Sequence, residues 1–303
     1  MNGTQHHYRS GDGLNLFYRS FGDSGPTVLC LHGLTRNSKD FRELAARLSD
    51  RYRVICPDIR GRGLSDRGPH VRNYGWHRYV QDVWTLLEHV AVDRFSIIGT
   101  SLGGLLSMVM NWQQPHRIQG MVLNDIGPEV PATAAKRIVA YTGQVPAVDD
   151  WHEAARLARE LYGHALPGMT DEFWVNYARR SFRENEEGRP EPDIDPNIGE
   201  ALRHPPFFLT LMIRLGRWGL VRELAGVPLD MWAAFEAIQA PVLLFRGERS
   251  DVLTAELVAR MKAVNASLEV VEVPRRGHAP LLDEPGVPEA IEQFLARVTA
   301  GPA

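Results

Sequence analysis

Residues 95–104 read FSIIGTSLGG. A short apolar run leads into Gly99-Thr100-Ser101-Leu102-Gly103, and apolar residues then recur at helical spacing at Leu105, Leu106, Val109 and Met110. This is G-x-S-x-G placed between a strand and a helix. So tight a turn forces its serine into a strained backbone conformation. A side chain at position 99 or 103 would collide with the neighbouring strand or helix. The turn lifts the Ser101 hydroxyl clear of the sheet, at a helix N-terminus whose free N–H groups favour developing negative charge. Ser101 is the candidate nucleophile.

Working outward, the segments on either side alternate in type. Residues 5–10 and 14–20 read as a hairpin joined by Gly11-Asp12-Gly13. TVLCL at 27–31 is a continuous apolar run, as expected of a strand buried on both faces. Helical spacing follows at 38–48, a strand at 52–56, a helix at 76–90, a strand at 94–98 and another near 118–124. That rhythm predicts crossover units and a parallel sheet. From 127 to 238 the rhythm breaks. Helices are expected at 131–143, 150–162, 170–184, 206–217 and 228–237, with no convincing strand. The proline- and acid-rich stretch 184–196 (ENEEGRPEPDIDP) is expected to be an exposed, mobile loop. Strand patterns resume at 241–246 (PVLLFR) and 268–273 (LEVVEV), and a last amphipathic helix covers 286–298.

A serine hydroxyl is a weak nucleophile near neutral pH and needs a base. Of the 11 histidines, His278 is placed best, in Arg276-Gly277-His278-Ala279-Pro280 directly after the last strand. The base in turn needs a carboxylate to fix its tautomer. Asp251 follows the strand PVLLFR and is the favoured acid. Asp125, in Leu123-Asn124-Asp125-Ile126-Gly127-Pro128, also ends a strand and is the rival.

The order Ser101, Asp251, His278 and the elbow around Ser101 resemble the serine hydrolases of the α/β-hydrolase fold. So do His32-Gly33 after the third strand and the loop Pro57-Asp58-Ile59-Arg60-Gly61-Arg62-Gly63-Leu64-Ser65. The resemblance spans essentially the whole chain. It implies an eight-stranded, mostly parallel sheet flanked by helices. The core would be discontinuous, from residues 1–126 and 239–303, with an inserted helical cap at 127–238. It also implies an oxyanion hole made by the backbone N–H groups of Leu34 and Leu102. His32, Asp58 and Arg60 are expected to support loops rather than to do chemistry. Some members of this fold take their acid from the position of Asp125.

Departures from family patterns narrow the reaction. Dehalogenases and epoxide hydrolases of this fold carry an aspartate where Ser101 stands, and position 102 is Leu rather than a halide-binding Trp. Ala279 occupies the place where ring-cleavage C–C hydrolases commonly have Trp, which weakens that chemistry and leaves it open. The expected activity is hydrolysis of an ester, lactone or thioester of a small to medium hydrophobic substrate through an acyl-enzyme. Alternatives are C–C hydrolysis, acyl transfer, or a non-catalytic small-ligand receptor. The 34 basic and 37 acidic residues show no basic stripe, which argues against a nucleic-acid partner. Neither metal-ligand spacings nor a G-x-G-x-x-G fingerprint occurs, so neither a metal nor another cofactor is expected. The start of the chain (MNGTQHHYRS) lacks a basic segment followed by an apolar one, and no run approaches 18 apolar residues. Cys30 and Cys56 lie inside apolar runs. Together these features suggest a cytoplasmic protein without a membrane partner. Oligomeric state is not legible.

Overall fold

The computed structural model describes residues 3–204, 228 and 230–300. Its principal sheet has eight strands. They are β1 (Thr4–Arg9), β2 (Asn15–Phe21), β3 (Thr27–Leu31), β4 (Arg53–Pro57), β5 (Phe95–Thr100), β6 (Ile118–Asn124), β9 (Val242–Gly247) and β10 (Leu268–Val273). Across the sheet they run in the order β1-β2-β4-β3-β5-β6-β9-β10. β1–β2 and β2–β4 pair antiparallel, and every other neighbouring pair is parallel. The edge strands β1 and β10 keep polar or exposed positions, whereas all five residues of β3 are buried.

The two-residue period of the central strands divides the core. Val28, Cys30, Val54, Cys56, Ile98, Val122 and Phe245 face one side, where they meet helices α1 (Arg42–Leu48) and α10 (Val287–Thr299). Leu29, Leu31, Ile55, Ile97, Leu123 and Leu244 face the other, against α2 (Trp76–His89), α3 (Leu102–Gln113) and α9 (Ala255–Val264). Cys30 and Cys56 lie on neighbouring strands and remain free thiols in the core.

Between β6 and β9 the described chain is mostly helical: α4 (Ala132–Tyr141), α5 (Trp151–Tyr162), α6 (Asp171–Ser181), α7 (Asn197–Arg203) and α8 (Met231–Glu236). Two expectations fail here. The helix expected over 170–184 stops at Ser181, and Phe182–Glu184 (β7) pairs with Pro190–Pro192 (β8) as a small hairpin. The stretch after it is anchored rather than loose. Asp193 accepts from Lys39 Nζ at 3.0 Å and Asn37 Nδ2 at 3.1 Å, and Asp195 is bonded by the Tyr74 hydroxyl. Its acidic residues sit where cationic and hydroxyl partners await them, which composition alone does not reveal. The helix expected over 206–217 lies outside the described residues. Among the described residues, no helix is long and apolar enough to cross a membrane.

Candidate active site

Ser101 occupies the junction of β5 and α3 with φ 51° and ψ −113°, a region that residues with a side chain seldom adopt. The two glycines flanking it permit this. A Cβ on Gly99 would come within 2.6 Å of the Gly103 carbonyl, and one on Gly103 would overlap the carbonyl oxygen of Leu31. Strand and helix touch backbone to backbone here, which leaves the hydroxyl standing proud of the sheet.

His278 Nε2 lies 2.8 Å from Ser101 Oγ, and His278 Nδ1 lies 2.8 Å from Asp125 Oδ2. An ionised carboxylate only accepts, so Nδ1 carries the proton and the Nε2 lone pair faces the serine. Asp125 is fully buried and follows β6 in a left-handed turn, φ 57°. Its remaining capacity is filled from the last residue of β9 and the loop after it. The Gly247 N–H donates to Oδ1 at 2.8 Å, and the Ser250 hydroxyl donates to Oδ2 at 2.6 Å.

This geometry corrects the assignment of Asp251. Its side chain is 46% exposed, and its carboxylate is held by the Arg137 guanidinium at 2.7 Å, away from the imidazole. The rival, Asp125, holds the imidazole. β6 and β9 are hydrogen-bonded neighbours, so acids at their two ends compete for one place. The left-handed turn after Asn124 sends the Asp125 side chain inward, while the loop carrying Asp251 contributes Gly247 and Ser250 as supports.

The loop bearing His278 is fixed on both flanks, beginning with the Gly277 N–H, which donates to the Ala165 carbonyl at 2.7 Å. Asn124 Nδ2 donates to the Pro280 carbonyl at 2.8 Å, and buried Glu284 accepts from the Leu281 and Leu282 N–H groups, both at 3.0 Å. Leu102 is the first residue of α3, so its N–H is one of the four that a helix cannot satisfy internally. Leu34 follows Gly33, where an added Cβ would stand 3.8 Å from Ser101 Cβ. The Leu34 carbonyl, in the next peptide, accepts from buried Arg62 Nε at 2.9 Å.

A family model for the alpha/beta hydrolase fold matches residues 26–285. The chain belongs to the α/β-hydrolase-fold family. It is 33% identical to the 3-hydroxybutyrate-oligomer hydrolase of Cupriavidus necator, over 92% of each chain. It is 30% identical to the 2-(acetamidomethylene)succinate hydrolase of Mesorhizobium japonicum, over 84% of this chain and 82% of that protein. Among solved structures, an alpha/beta hydrolase from Novosphingobium aromaticivorans superposes with a TM-score of 0.86 at 40% identity, covering 98% of this chain and 99% of the other.

The supporting residues of this α/β hydrolase behave as the sequence suggests. His32 is fully buried, and its Nε2 accepts from the Ile59 N–H at 3.0 Å while Nδ1–H donates to the Gly33 carbonyl at 2.7 Å. Burial drives its pKa from 6.5 to about 3, so it is a neutral strut. Asp58 accepts from the N–H groups of Ser38 and Leu64 at 2.7 and 2.9 Å, and Arg60 bridges buried Asp82 and Asp12.

The sequence reading gave no role to Arg36, Arg62 or Ser250 and named no binding residue in the cap. Arg36 lines the cavity above Ser101, ion-paired with Asp40 at 2.6 Å and stacked 4.2 Å from the Tyr177 ring centroid. Burial alone would lower the Arg36 pKa, but the Asp40 carboxylate outweighs it and the net shift is upward. Tyr141, Tyr162 and Tyr177 line the same cavity, with successive ring centroids 6.0 and 5.4 Å apart. Burial raises the pKa of the Tyr141 and Tyr177 hydroxyls, which therefore stay protonated. The only signal for Arg36 was its nearness to His32-Gly33.

Proposed function

We propose that this α/β hydrolase is a serine esterase, cleaving a carboxylic ester or lactone of a small to medium hydrophobic substrate through an acyl-enzyme. The observation that carries the reading is the continuous chain Ser101 Oγ–His278 Nε2 and His278 Nδ1–Asp125 Oδ2, both contacts at 2.8 Å. Oγ attacks the carbonyl carbon as its proton passes to Nε2. The oxygen that becomes negative is received by the N–H groups of Leu34 and Leu102, where losing one such donor costs about 3–4 kcal/mol of barrier. The carbonyl re-forms, the alcohol leaves with the proton from Nε2, and the acyl group stays on Oγ. Water repeats the sequence: His278 takes its proton, the acid is released and Ser101 is restored. Asp125 stays ionised throughout, holding the tautomer and stabilising the imidazolium.

The relationship to a 3-hydroxybutyrate-oligomer hydrolase supports the choice of an ester bond. The helical segment after β6 supplies Ile138, Tyr141, Tyr162 and Tyr177 to the cavity over Ser101, in keeping with a cap that shapes the acyl pocket.

The test is turnover of p-nitrophenyl esters with Ser101→Ala as control, together with labelling by a fluorophosphonate. The expected result is one label on Ser101 and loss of both labelling and turnover in the variant. Folded wild-type protein that neither labels nor turns over any ester would refute the reading and favour a receptor.

A further inference from the structure

The cavity holding Ser101 is small, about 90 Å³. Ligand sites commonly occupy about 300–1,000 Å³, so this chamber alone accepts only a short acyl group. A second cavity of about 210 Å³ lies beside it. Thr35, Tyr141 and Tyr162 line both, so the partition is one side chain thick. Across it run a neutral contact, Thr35 Oγ1 to Tyr162 OH at 3.2 Å, at the long end of hydrogen-bond geometry, and a hydrogen bond from Arg36 Nη1 to Ser181 Oγ. Together the two chambers reach the lower end of the usual ligand-site range.

The second cavity has the lining of a hydrophobic tail site. Val145, Leu161, Phe182 and Ile194 contribute to it, and its charged lining residues Arg67 and Glu191 pair with each other at 3.5 Å. Its direction can be read from the chemistry. The leaving alcohol must stand beside His278 Nε2 to receive a proton. Residues 278–282 all line the first cavity, and among the described residues none of them lines the second. The second chamber meets the first instead at Thr35, the residue after Leu34, and at Tyr141 and Tyr162, and shares none of the residues around His278.

We infer that the Val145–Leu161–Ile194 cavity is an acyl-tail subsite: it receives the far end of an acyl chain of about six carbons or more, threaded past the Thr35–Tyr162 contact from Ser101. This rests on the esterase reading and extends it to the length of the preferred acyl group. The hydroxyls of Thr35 and Tyr162, freed from each other as the chain passes, can donate to an oxygen placed part-way along it.

The experiment measures kcat/KM for p-nitrophenyl acetate, butyrate, hexanoate and octanoate. In wild type the hexanoate-to-acetate ratio should exceed tenfold. Val145→Trp, which fills the cavity, should lower the octanoate-to-acetate ratio at least tenfold. Ala147→Trp, placed at the exposed rim where it cannot disturb the core, should lower it in the same direction. An unchanged ratio in both folded variants overturns the subsite. A wild-type preference for acetate overturns it as well. Hexyl and octyl acetate are assayed alongside: if the variants instead discriminate against these acetate esters of long alcohols, the cavity takes the leaving group and the acyl assignment is wrong. Absence of turnover and of Ser101 labelling in wild type would refute the esterase reading itself, a separate outcome from loss of chain-length preference.

Discussion

Replacing Asp125 by Asn tests the corrected triad most sharply. The carboxylate is fully buried and accepts three bonds, from Gly247 N–H, Ser250 OH and His278 Nδ1–H, at 2.6–2.8 Å. Asn keeps the shape but presents an NH2 group. To avoid facing donor to donor, either His278 moves its proton to Nε2, which removes the lone pair that Ser101 needs, or the new amide turns its NH2 toward Gly247 or Ser250. The first outcome lowers kcat about 10⁴-fold, equivalent to about 5.5 kcal/mol of barrier. The second leaves a buried donor unsatisfied and costs about 1–3 kcal/mol of stability. Asp251→Asn releases only a solvent-facing pair with Arg137, worth about 0–1 kcal/mol, so its kcat should stay within about threefold of wild type. Both variants are assayed for kcat and KM on p-nitrophenyl butyrate, with urea unfolding as a check on the native fold. Asp125→Asn retaining activity within tenfold while Asp251→Asn loses orders of magnitude would refute the reasoning.

Three further outcomes follow from the same geometry. Gly103→Ala drives a methyl into the Leu31 carbonyl, so the urea midpoint should fall by the equivalent of about 1–3 kcal/mol, and kcat should fall with it as Ser101 shifts. His32 binds a proton at pH 6.5 when unfolded and only at about 3 when buried. Its contribution to stability is therefore complete above pH 6.5 and is lost as pH falls from there toward 3, by on the order of 5 kcal/mol. Urea midpoints between pH 4 and 8 should consequently flatten in His32→Gln. Arg60→Ala strands buried Asp82 without its cation and should cost about 3–5 kcal/mol, seen as a lowered Tm with no change in fluorophosphonate labelling of the protein that remains folded.

Local grammar carried the reading of Ser101 and His278: both sit in short segments whose glycines and flanking strands constrain the backbone whatever lies elsewhere. The acid was ambiguous for a physical reason. Asp125 and Asp251 follow adjacent parallel strands, and which carboxylate turns inward depends on a left-handed turn at 125 and on donors at Gly247 and Ser250. A hint was present in Ser250, a hydroxyl next to the favoured acid with no assigned task. The segment after β6 was least legible. Its acidic stretch looked solvent-bound, yet Asp193 and Asp195 are buried against Lys39, Asn37 and Tyr74, partners more than 100 residues away.

The turn that closes β9 has two grips. Through Gly247 and Ser250 it holds the Asp125 carboxylate from below, and through Asp251 it grasps Arg137 on α4. Asp125 is itself only seven residues before the first residue of α4. The helical segment is therefore fastened to the floor beneath Ser101 by a covalent stem and an ionic clasp at one corner. An exchange of that segment for another would keep the Ser101–His278–Asp125 contacts intact while the stem through Ile126 and the turn at 247–250 are retained, and the cation at 137 would decide how firmly the new roof sits.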